Sequence, residues 1–584
     1  MNLKRPALQF LRCIFLAGLA AAPLSAALKN PDTIIYAHIS EITTLDPVYS
    51  YDSTTQGMMM NVYDTLIRFD GPSLTDFEPA LAAKVPSAQN GLVSEDGLTY
   101  RFPLRRGVKF HNGDRLTPED VRYSLLRFMM IDPEGGPSSL LLEPVFGQAS
   151  TRGADGKIAI AKADFERAVK ADREGVTVRL KRPFDPFLSI MARWSYVLDK
   201  KWCVDNGEWD GTYETLPAFN NRQKESSHLY RAMNGTGPFE LERWDQNNKQ
   251  LSLTAFPGYW SSPARIKRVI MKTVSDFDAR RTMIEAGDAD IIDMTRPNEP
   301  RLAGLQGVHV EDNLPRLMTD PVFFFTFAVN PNGNQDIGSG KLDGQGIPTN
   351  FFSSADVRKA FSYSFDYTGF MKEGMKGKAT RARGSIPPGM IGYNALEPSY
   401  EFNRMRAVEF FHKAYDGAVW NNGFRFTLTY NNGSDIRQLA CENLKRNVES
   451  MNPRFHVDLR GVDWPVYMEK TQNRRAPLFT RGWTGDYPDP HNFTFPFYHS
   501  KGRFAQAQGF ADREMDKLIE TAVSEPSAAK RAQLYARIQA KAYEDALQIY
   551  TAHPLGLYGL RDWVKGFYDN AVFMGVYFYP LSKQ

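Results

Sequence analysis

Patterns typical of strands and of helices alternate along the whole chain, and this alternation restricts the fold more than any other feature. Residues 98–104 place apolar side chains at every second position, as in a strand with one buried face. Residues 322–329 form a continuous apolar run rich in β-formers, which favours a buried strand. Helical patterns cover 276–286, 355–367 and 528–546, and further strand patterns cover 235–241, 251–256 and 266–274. The chain is therefore predicted to form mixed α/β units.

Residues 1–27 have the three parts of a secretory signal. They comprise a basic start, an apolar stretch at 13–24, and small residues that lead to a predicted cleavage after Ala27. A membrane anchor is the alternative, but 12 apolar residues are too few to cross a bilayer, which takes about twenty. The mature protein is therefore expected outside the cytoplasm.

The length of the chain requires more than one hydrophobic core. It has 584 residues, of which 42% are apolar and 24% charged. Two or three lobes built from interleaved segments are expected. Lys4, Arg5 and Arg12 lie in the predicted signal, and without them 68 basic residues face 67 acidic ones. A nearly neutral chain gives no reason to expect nucleic acid or an anionic membrane as a partner.

The predicted mature chain keeps two cysteines, Cys203 and Cys441, which are far apart in sequence. They can form one disulfide in an oxidising compartment. Two free, buried thiols are at least as good an interpretation, and the sequence leaves both open.

Residues 98–130 combine a strand, a tight turn and a helix. Pro103 has no main-chain N–H to donate, so the strand is expected near a sheet edge. Asn112-Gly113 is a strong turn signal. Thr117 can cap the helix that begins at Pro118, because its hydroxyl can accept from a free N–H group of the first turn.

Patterns typical of enzymes are missing from the sequence. The 9 histidines never occur in an H-E-x-x-H spacing, and there is no C-x-x-C, no G-x-S-x-G and no phosphate-binding G-x-x-x-x-G-K-[ST] loop. Asp486 and Asp489 could imitate a catalytic carboxylate pair, but a loop broken by proline fixes no separation between them. No catalytic residue, metal or cofactor is therefore predicted.

Five ordered motifs carry a resemblance that spans almost the whole predicted mature chain. They lie at 63–68, 98–113 with 116–121, 235–239, 356–366 and 482–490, the last reading Gly-Trp-Thr-Gly-Asp-Tyr-Pro-Asp-Pro. In type and order they resemble the family 5 extracellular solute-binding proteins, which are the dipeptide and oligopeptide receptors of ABC importers. The resemblance implies an α/β, periplasmic-binding-protein-like fold of two mixed α/β lobes, an extra subdomain and a central ligand cleft.

The resemblance also implies how the chain is divided. Lobe I would comprise 28–72, 190–317 and 552–584, the subdomain 73–189, and lobe II 318–551. These names are used below for these segments.

The same resemblance implies a set of ligand-binding residues. In peptide-binding members, the aspartate of a Gly-Trp-x-x-Asp motif holds the α-ammonium group of the peptide, and it matches Asp486 here. A cation shut away from water needs a fixed counter-charge, which this carboxylate would supply. The alternative is that Asp486 only caps the turn that follows it.

Residues on either side of Asp486 are further candidates. Trp483, Thr484 and Gly485 resemble the strand whose main chain pairs with an extended peptide, and Trp483 and Tyr487 are candidates for lining side-chain pockets. Thr43 and Thr44 are weaker candidates for the opposing wall of the cleft, beside a Leu45-Asp46-Pro47 segment expected to be structural.

The sequence departs from the family pattern at the ligand carboxylate. Dipeptide binders have an arginine in the segment that aligns with 431–434, and oligopeptide binders have one where this chain has Thr480. Arg437, Arg474, Arg475 and Arg481 lie nearby, but in a regular strand Arg481 would face away from Asp486. The far end of the ligand therefore has no assigned partner.

The resemblance implies a monomeric receptor in the periplasm that captures a short peptide by closing its lobes and delivers it to an ABC transporter permease in the inner membrane. Two alternatives stay open. One is a receptor of the same fold for an opine, a sugar or a metal chelate, and the other is a secreted hydrolase.

Overall fold

The computed structural model describes residues 28–573 and 575–584. The predicted signal segment 1–27 lies outside the described residues. Three main sheets and the helices around them form a mixed α/β structure, which confirms the predicted fold class.

A seven-stranded sheet contains strands from all three segments predicted to form lobe I. Thr33–His38 lies near its centre and is parallel to both of its neighbours, while the other strand pairs are antiparallel. In spatial order its strands are Val308–Leu314, Gly556–Arg561, Ile291–Asp293, Thr33–His38, Arg268–Thr273, Gln250–Ala255 and Phe239–Asp245.

A five-stranded sheet lies within the segment predicted to form lobe II. In spatial order its strands are Phe455–Val462, Phe424–Asn431, Leu478–Thr484, Met318–Phe325 and Gln548–Tyr550. Its residues Val322 to Phe325 are all fully buried. Phe324 stacks on Phe479 and Phe504, whereas Phe323 and Phe325 pack against a second group of phenylalanines, so this strand is covered on both faces.

The smaller sheets complete the strand pairing. A three-stranded antiparallel sheet lies within the predicted subdomain and has the order Thr99–Pro103, Gly175–Arg179, Val169–Ala171. Two-stranded sheets pair Ile67–Phe69 with Phe77–Pro79, Ala379–Arg381 with Ala552–Pro554, and Val564–Lys565 with Ser582–Lys583. Because the second of these pairs joins segments assigned to different lobes, the exact lobe boundaries stay a prediction.

The α-helices lie in all parts of the described chain. They are Ser53–Val62, Pro118–Met130, Ser139–Phe146, Lys162–Ala168, Phe187–Trp194, Lys200–Asp205, Phe277–Ala286, Ala355–Ser364, Tyr367–Glu373, Arg404–Lys413, Ala418–Asn422, Asp435–Glu449, Trp464–Gln472, His491–Tyr498, Arg503–Gln508, Arg513–Ser524 and Ala528–Glu544.

Local sequence signals placed several of these elements correctly. Thr117 and Asp120 form a reciprocal capping box at the start of Pro118–Met130. Thr99–Pro103 is an edge strand, as expected from Pro103. The helix predicted over 355–367 ends at Ser364 instead, because Asp366 accepts a hydrogen bond from the Gly369 N–H and caps a new helix.

The strand predicted from Gly235 begins only at Phe239. The Gly235-Thr-Gly237 segment runs against the end of the helix Ser53–Val62, where a Cβ on Gly235 would lie 2.0 Å from the Val62 carbonyl oxygen. Glycine is needed there because two main chains come into close contact. The two remaining cysteines, Cys203 and Cys441, are both free and buried, so they do not form a disulfide.

Candidate functional site

The strand Leu478–Thr484 has one edge that is only partly paired. On one side it pairs with Met318–Phe325 over most of its length. On the other side its pairing with Phe424–Asn431 covers Leu478 and Phe479 alone. From Thr480 to Thr484 this second edge therefore faces no strand of the described chain. The Thr480 carbonyl accepts from the Tyr467 hydroxyl at 2.6 Å, and an extended ligand could add to the edge beyond it.

Asp486 lies two residues beyond the end of this strand, at the contact between the predicted lobes. Its carboxylate Oδ2 accepts hydrogen bonds from the Tyr51 hydroxyl at 3.0 Å and the Asn492 amide at 3.2 Å. Its carbonyl oxygen accepts from Trp194 Nε1 at 3.0 Å. Tyr51 and Trp194 belong to lobe I segments, so both predicted lobes build the surroundings of Asp486.

The hydrogen bonds of Asp486 differ from those of a turn cap. Its carboxylate receives hydrogen bonds from the side chains of Tyr51 and Asn492, whereas a turn cap accepts from main-chain N–H groups. Both bonds end on Oδ2, so neither uses Oδ1. Burial raises the pKa of Asp486 to about 6, against the opposing effect of the Asn492 and Tyr51 hydrogen bonds and of nearby arginines.

The residues around Asp486 mainly hold its loop in place. Trp483 is nearly buried and donates from Nε1 to the Asn492 carbonyl at 2.8 Å. The Gly485 N–H donates to the Leu317 carbonyl at 2.7 Å, and a Cβ there would lie 2.8 Å from the Phe493 ring. Tyr487 is buried. Thr484, at the strand end, is half-buried and pairs with Met318.

The two threonines predicted for the opposite wall do not contact Asp486. The Thr44 side chain is fully buried and accepts from the Asp46 N–H at 3.1 Å. Thr43 donates to Asp52 at 2.9 Å and lines a separate cavity of about 300 Å³ that also borders Lys224. Tyr51 and Trp194 were not predicted from the sequence, because no local pattern distinguishes them from neighbouring aromatic residues.

The structure assigns different surroundings to the arginines considered for the ligand carboxylate. Arg437 is neutralised by Asp320 at 2.9 Å. Arg474 is exposed, and Arg475 donates to the Gly333 carbonyl at 3.3 Å. Arg481 is half-buried and makes no ion pair with any described residue.

Arg481 lies close to the Asp486 region. Its guanidinium stacks on Trp464 and on Phe504, at 5.3 Å from each ring centroid. Burial and the neighbouring charge of Arg503 lower the pKa of Arg481 to about 9. Both Arg481 and Asp486 act electrostatically on the Tyr51 hydroxyl. Strand alternation suggested that they face apart, but the strand ends at Thr484, so the alternation does not extend to Asp486.

Asp489 does not provide a free second carboxylate that could form a catalytic pair with Asp486. It forms an ion pair with Arg531 at 2.8 Å and accepts from the His491 N–H at 2.8 Å. Across the described residues, no cluster of three or more histidine, cysteine, aspartate or glutamate side chains is arranged to hold a metal ion. In the same part of the chain, no helix has both the length and the apolar content needed to cross a bilayer.

Comparisons with known proteins agree with the fold and the motifs. The family model described as "Bacterial extracellular solute-binding proteins, family 5 Middle" matches residues 76–505. The chain is 24% identical to dipeptide-binding protein DppE of Bacillus subtilis, covering 83% of this chain and 80% of that protein. It is also 24% identical to the probable D,D-dipeptide-binding periplasmic protein DdpA of Escherichia coli, covering 95% of each.

A solved structure supports the same fold. The periplasmic binding protein DppA of Helicobacter pylori, in complex with the peptide STSA, superposes with a TM-score of 0.72 at 20% identity. The match covers 94% of this chain and 98% of that one.

Proposed function

The chain belongs to the family 5 extracellular solute-binding proteins, whose members bind solutes and are not enzymes, and on this basis we propose that it captures short peptides for an ABC importer. The observation that carries the proposal is the position of Asp486 between the predicted lobes, within reach of Tyr51 and Trp194. In this role Asp486 holds the α-ammonium group of the peptide.

The charge and the main chain of the site fit a peptide at two points. A partly enclosed carboxylate gains most from a cationic partner, because burial alone destabilises its ionised form. The open edge beyond Thr480 can form main-chain hydrogen bonds with an extended chain. Such bonds do not depend on side-chain identity, which suits a receptor for many sequences.

Lobe closure is the mechanism by which the ligand is enclosed. Besides the contacts of Asp486, His491 of lobe II lies 3.0 Å from Glu143 of the subdomain, and Arg531 of lobe II pairs with Asp185 of the subdomain. These polar contacts link the predicted lobes in a closed arrangement. An open form would break them and expose the site to ligand.

We also propose where in the cell the protein works and to which partner it delivers its ligand. Residues 1–27 direct secretion and are removed, and the mature protein works as a monomer in the periplasm. The closed, loaded form then delivers the peptide to a permease in the inner membrane.

A peptide library followed by native mass spectrometry tests this function. The purified mature protein is mixed with a library of two- to five-residue peptides, separated from free ligand, and then denatured to release what it bound. We expect intact peptides. Cleaved peptides would support a hydrolase, and a released opine, sugar or metal chelate with no peptide would support a receptor of the same fold for that ligand.

Peptide affinity should depend on pH through Asp486. The pKa of Asp486 is about 6 in the ligand-free protein, so its carboxylate is charged above that pH and becomes neutral below it. Affinity should change little between about pH 6.5 and 7 and should fall as the pH drops below 6, approaching about tenfold per pH unit. Calorimetry from pH 5 to 7 measures this, since the peptide amine, with a pKa of about 8, stays largely protonated over that range.

Asp486→Asn is the control for the pH dependence, because it removes the titrating group and keeps the shape. Its affinity should be low and nearly independent of pH. An equal fall in wild type and Asp486→Asn would assign the pH dependence to another group.

A further inference from the structure

The surroundings of Asp486 contain more positive than negative charge. Three arginines, Arg193, Arg481 and Arg503, act electrostatically on Asp486 or on its hydrogen-bond partner Tyr51. None of the three makes an ion pair with a described carboxylate. Arg193 and Arg503 act on the Asp486 carboxylate, and Arg481 and Arg503 act on the Tyr51 hydroxyl that is bonded to it.

Arg193 is the most deeply buried of the three. It is 4% exposed and donates from Nη1 to Gln56 and to the Tyr196 hydroxyl, each at 3.0 Å. Its guanidinium lies over Trp194 and Phe573. Burial lowers its pKa, and the negative charge of Asp486 acts in the opposite direction. Without a ligand, Asp486 is thus the carboxylate that offsets this buried charge.

Arg481 and Arg503 lie on the lobe II side and are more accessible. Arg503 is exposed and stacks 5.7 Å from the centroid of the Trp483 ring. Arg481 is half-buried beside it, and its pKa of about 9 reflects burial and the repulsion from Arg503. Two neighbouring cations without a carboxylate form a site that attracts anions.

Three other enclosed arginines have carboxylate or carbonyl partners within the protein. Arg127 pairs with Asp46 and Glu208, and Arg437 pairs with Asp320. Arg358 has no carboxylate partner, but its guanidinium donates to main-chain carbonyls at 2.6–3.2 Å. Arg481 has neither kind of partner among the described residues, so its hydrogen-bonding groups are available to a ligand.

We infer that the preferred ligand is a peptide with a net negative charge, whose amine binds Asp486 and whose carboxylates bind Arg481 and Arg503. This inference rests on the proposed peptide-binding function and specifies its substrate class. A neutral peptide has one carboxylate, whose single negative charge offsets only one of the two arginine charges. A peptide with an additional acidic side chain offsets both.

Calorimetry with matched peptides tests the inference. The probes are alanine tri-, tetra- and pentapeptides in which one residue, at each position in turn, is Glu, Gln or Lys. For the best position we expect Glu to bind at least about tenfold more tightly than the isosteric Gln, and Gln more tightly than Lys. The preference for Glu should weaken as the salt concentration rises.

The variants Arg481→Gln and Arg503→Gln connect this preference to the two arginines. In the double variant, the ratio between Glu and Gln peptides should fall to within about threefold. Arg173→Gln, which removes an exposed arginine of the predicted subdomain, should leave the ratio unchanged.

The outcomes separate this inference from the proposed function. Peptides that bind wild type with Glu and Gln within threefold of each other would overturn the charge preference and leave the peptide receptor intact. A preference that persists in the double variant would overturn the role of these arginines. If no peptide of any charge binds, both proposals fail.

Discussion

Replacement of Asp486 by alanine should weaken peptide binding by about a hundredfold to several thousandfold. This corresponds to about 3–5 kcal/mol, the usual cost of removing one partner from an enclosed ion pair. The loss is large because the ligand ammonium would remain shut away from water between the lobes without its counter-charge. Calorimetry with the tightest peptide from the library gives the affinity of wild type and variant under the same conditions.

Two further variants test whether the loss of affinity comes from the loss of the charge at position 486. Asp486→Asn keeps the shape of the side chain and an oxygen that can accept from Tyr51, but removes the charge. If charge is the cause, Asp486→Asn should lose most of the affinity as well. Asp343→Ala, in the exposed loop at 338–346, is the matched control and should bind as wild type does. Affinity in Asp486→Ala within about threefold of wild type would contradict the assigned role.

The contacts that sequence reasoning located correctly are those made between neighbouring residues. Thr117 caps the helix that begins at Pro118, and its side chain and that of Asp120, three residues along the chain, each accept from the main-chain N–H of the other. Asp276 and Gly287 likewise mark the start and the end of one helix. Such signals can be recognised in a sequence because each capping residue lies within one helical turn of the main-chain group that it caps.

The site depends on contacts that have no local signature. Tyr51 reaches Asp486 across 435 positions of sequence, and Tyr49, two residues earlier, has the same side chain and a different environment. The family motif identified Asp486 as a candidate ligand-binding residue, but it could not identify Tyr51 and Trp194 as the residues that contact it. Arg481 shows a second limit, because strand alternation predicts side-chain direction only as far as the strand continues.

Buried charges in the framework give the largest expected effect on stability. Arg127, on the helix Pro118–Met130, donates to both carboxylate oxygens of Asp46 at 2.7 Å and to Glu208 at 2.8 Å. Asp46 is fully buried and belongs to the Leu45-Asp46-Pro47 segment expected to be structural. The Ser227 hydroxyl lies 2.7 Å from an Asp46 oxygen and 3.0 Å from a Glu208 oxygen, and its one proton can be donated to either. This cluster of Arg127, Asp46, Glu208 and Ser227 thus links the helix Pro118–Met130 of the subdomain to lobe I.

Arg127→Met should lower the free energy of unfolding by about 3–5 kcal/mol, because two buried carboxylates would face each other without a cation. Urea unfolding followed by circular dichroism and by tryptophan fluorescence measures the loss, and coincidence of the two curves checks that one transition is being compared. Arg101→Met is the matched control, since Arg101 pairs with Asp172 at the surface and should contribute no more than about 1 kcal/mol.

A triple variant separates lost packing from unpaired charge. Asp46→Asn and Glu208→Gln, added to Arg127→Met, remove both carboxylate charges and keep side chains of similar size. If unpaired charge dominates, this variant should be more stable than Arg127→Met alone, although three residues of the cluster are then altered. A triple variant less stable than the single one would instead mean that the hydrogen bonds which Asp46 and Glu208 still accept, such as that from Ser227, matter more than their unpaired charge. An Arg127→Met variant as stable as Arg101→Met would mean that the cluster does not hold the subdomain to lobe I.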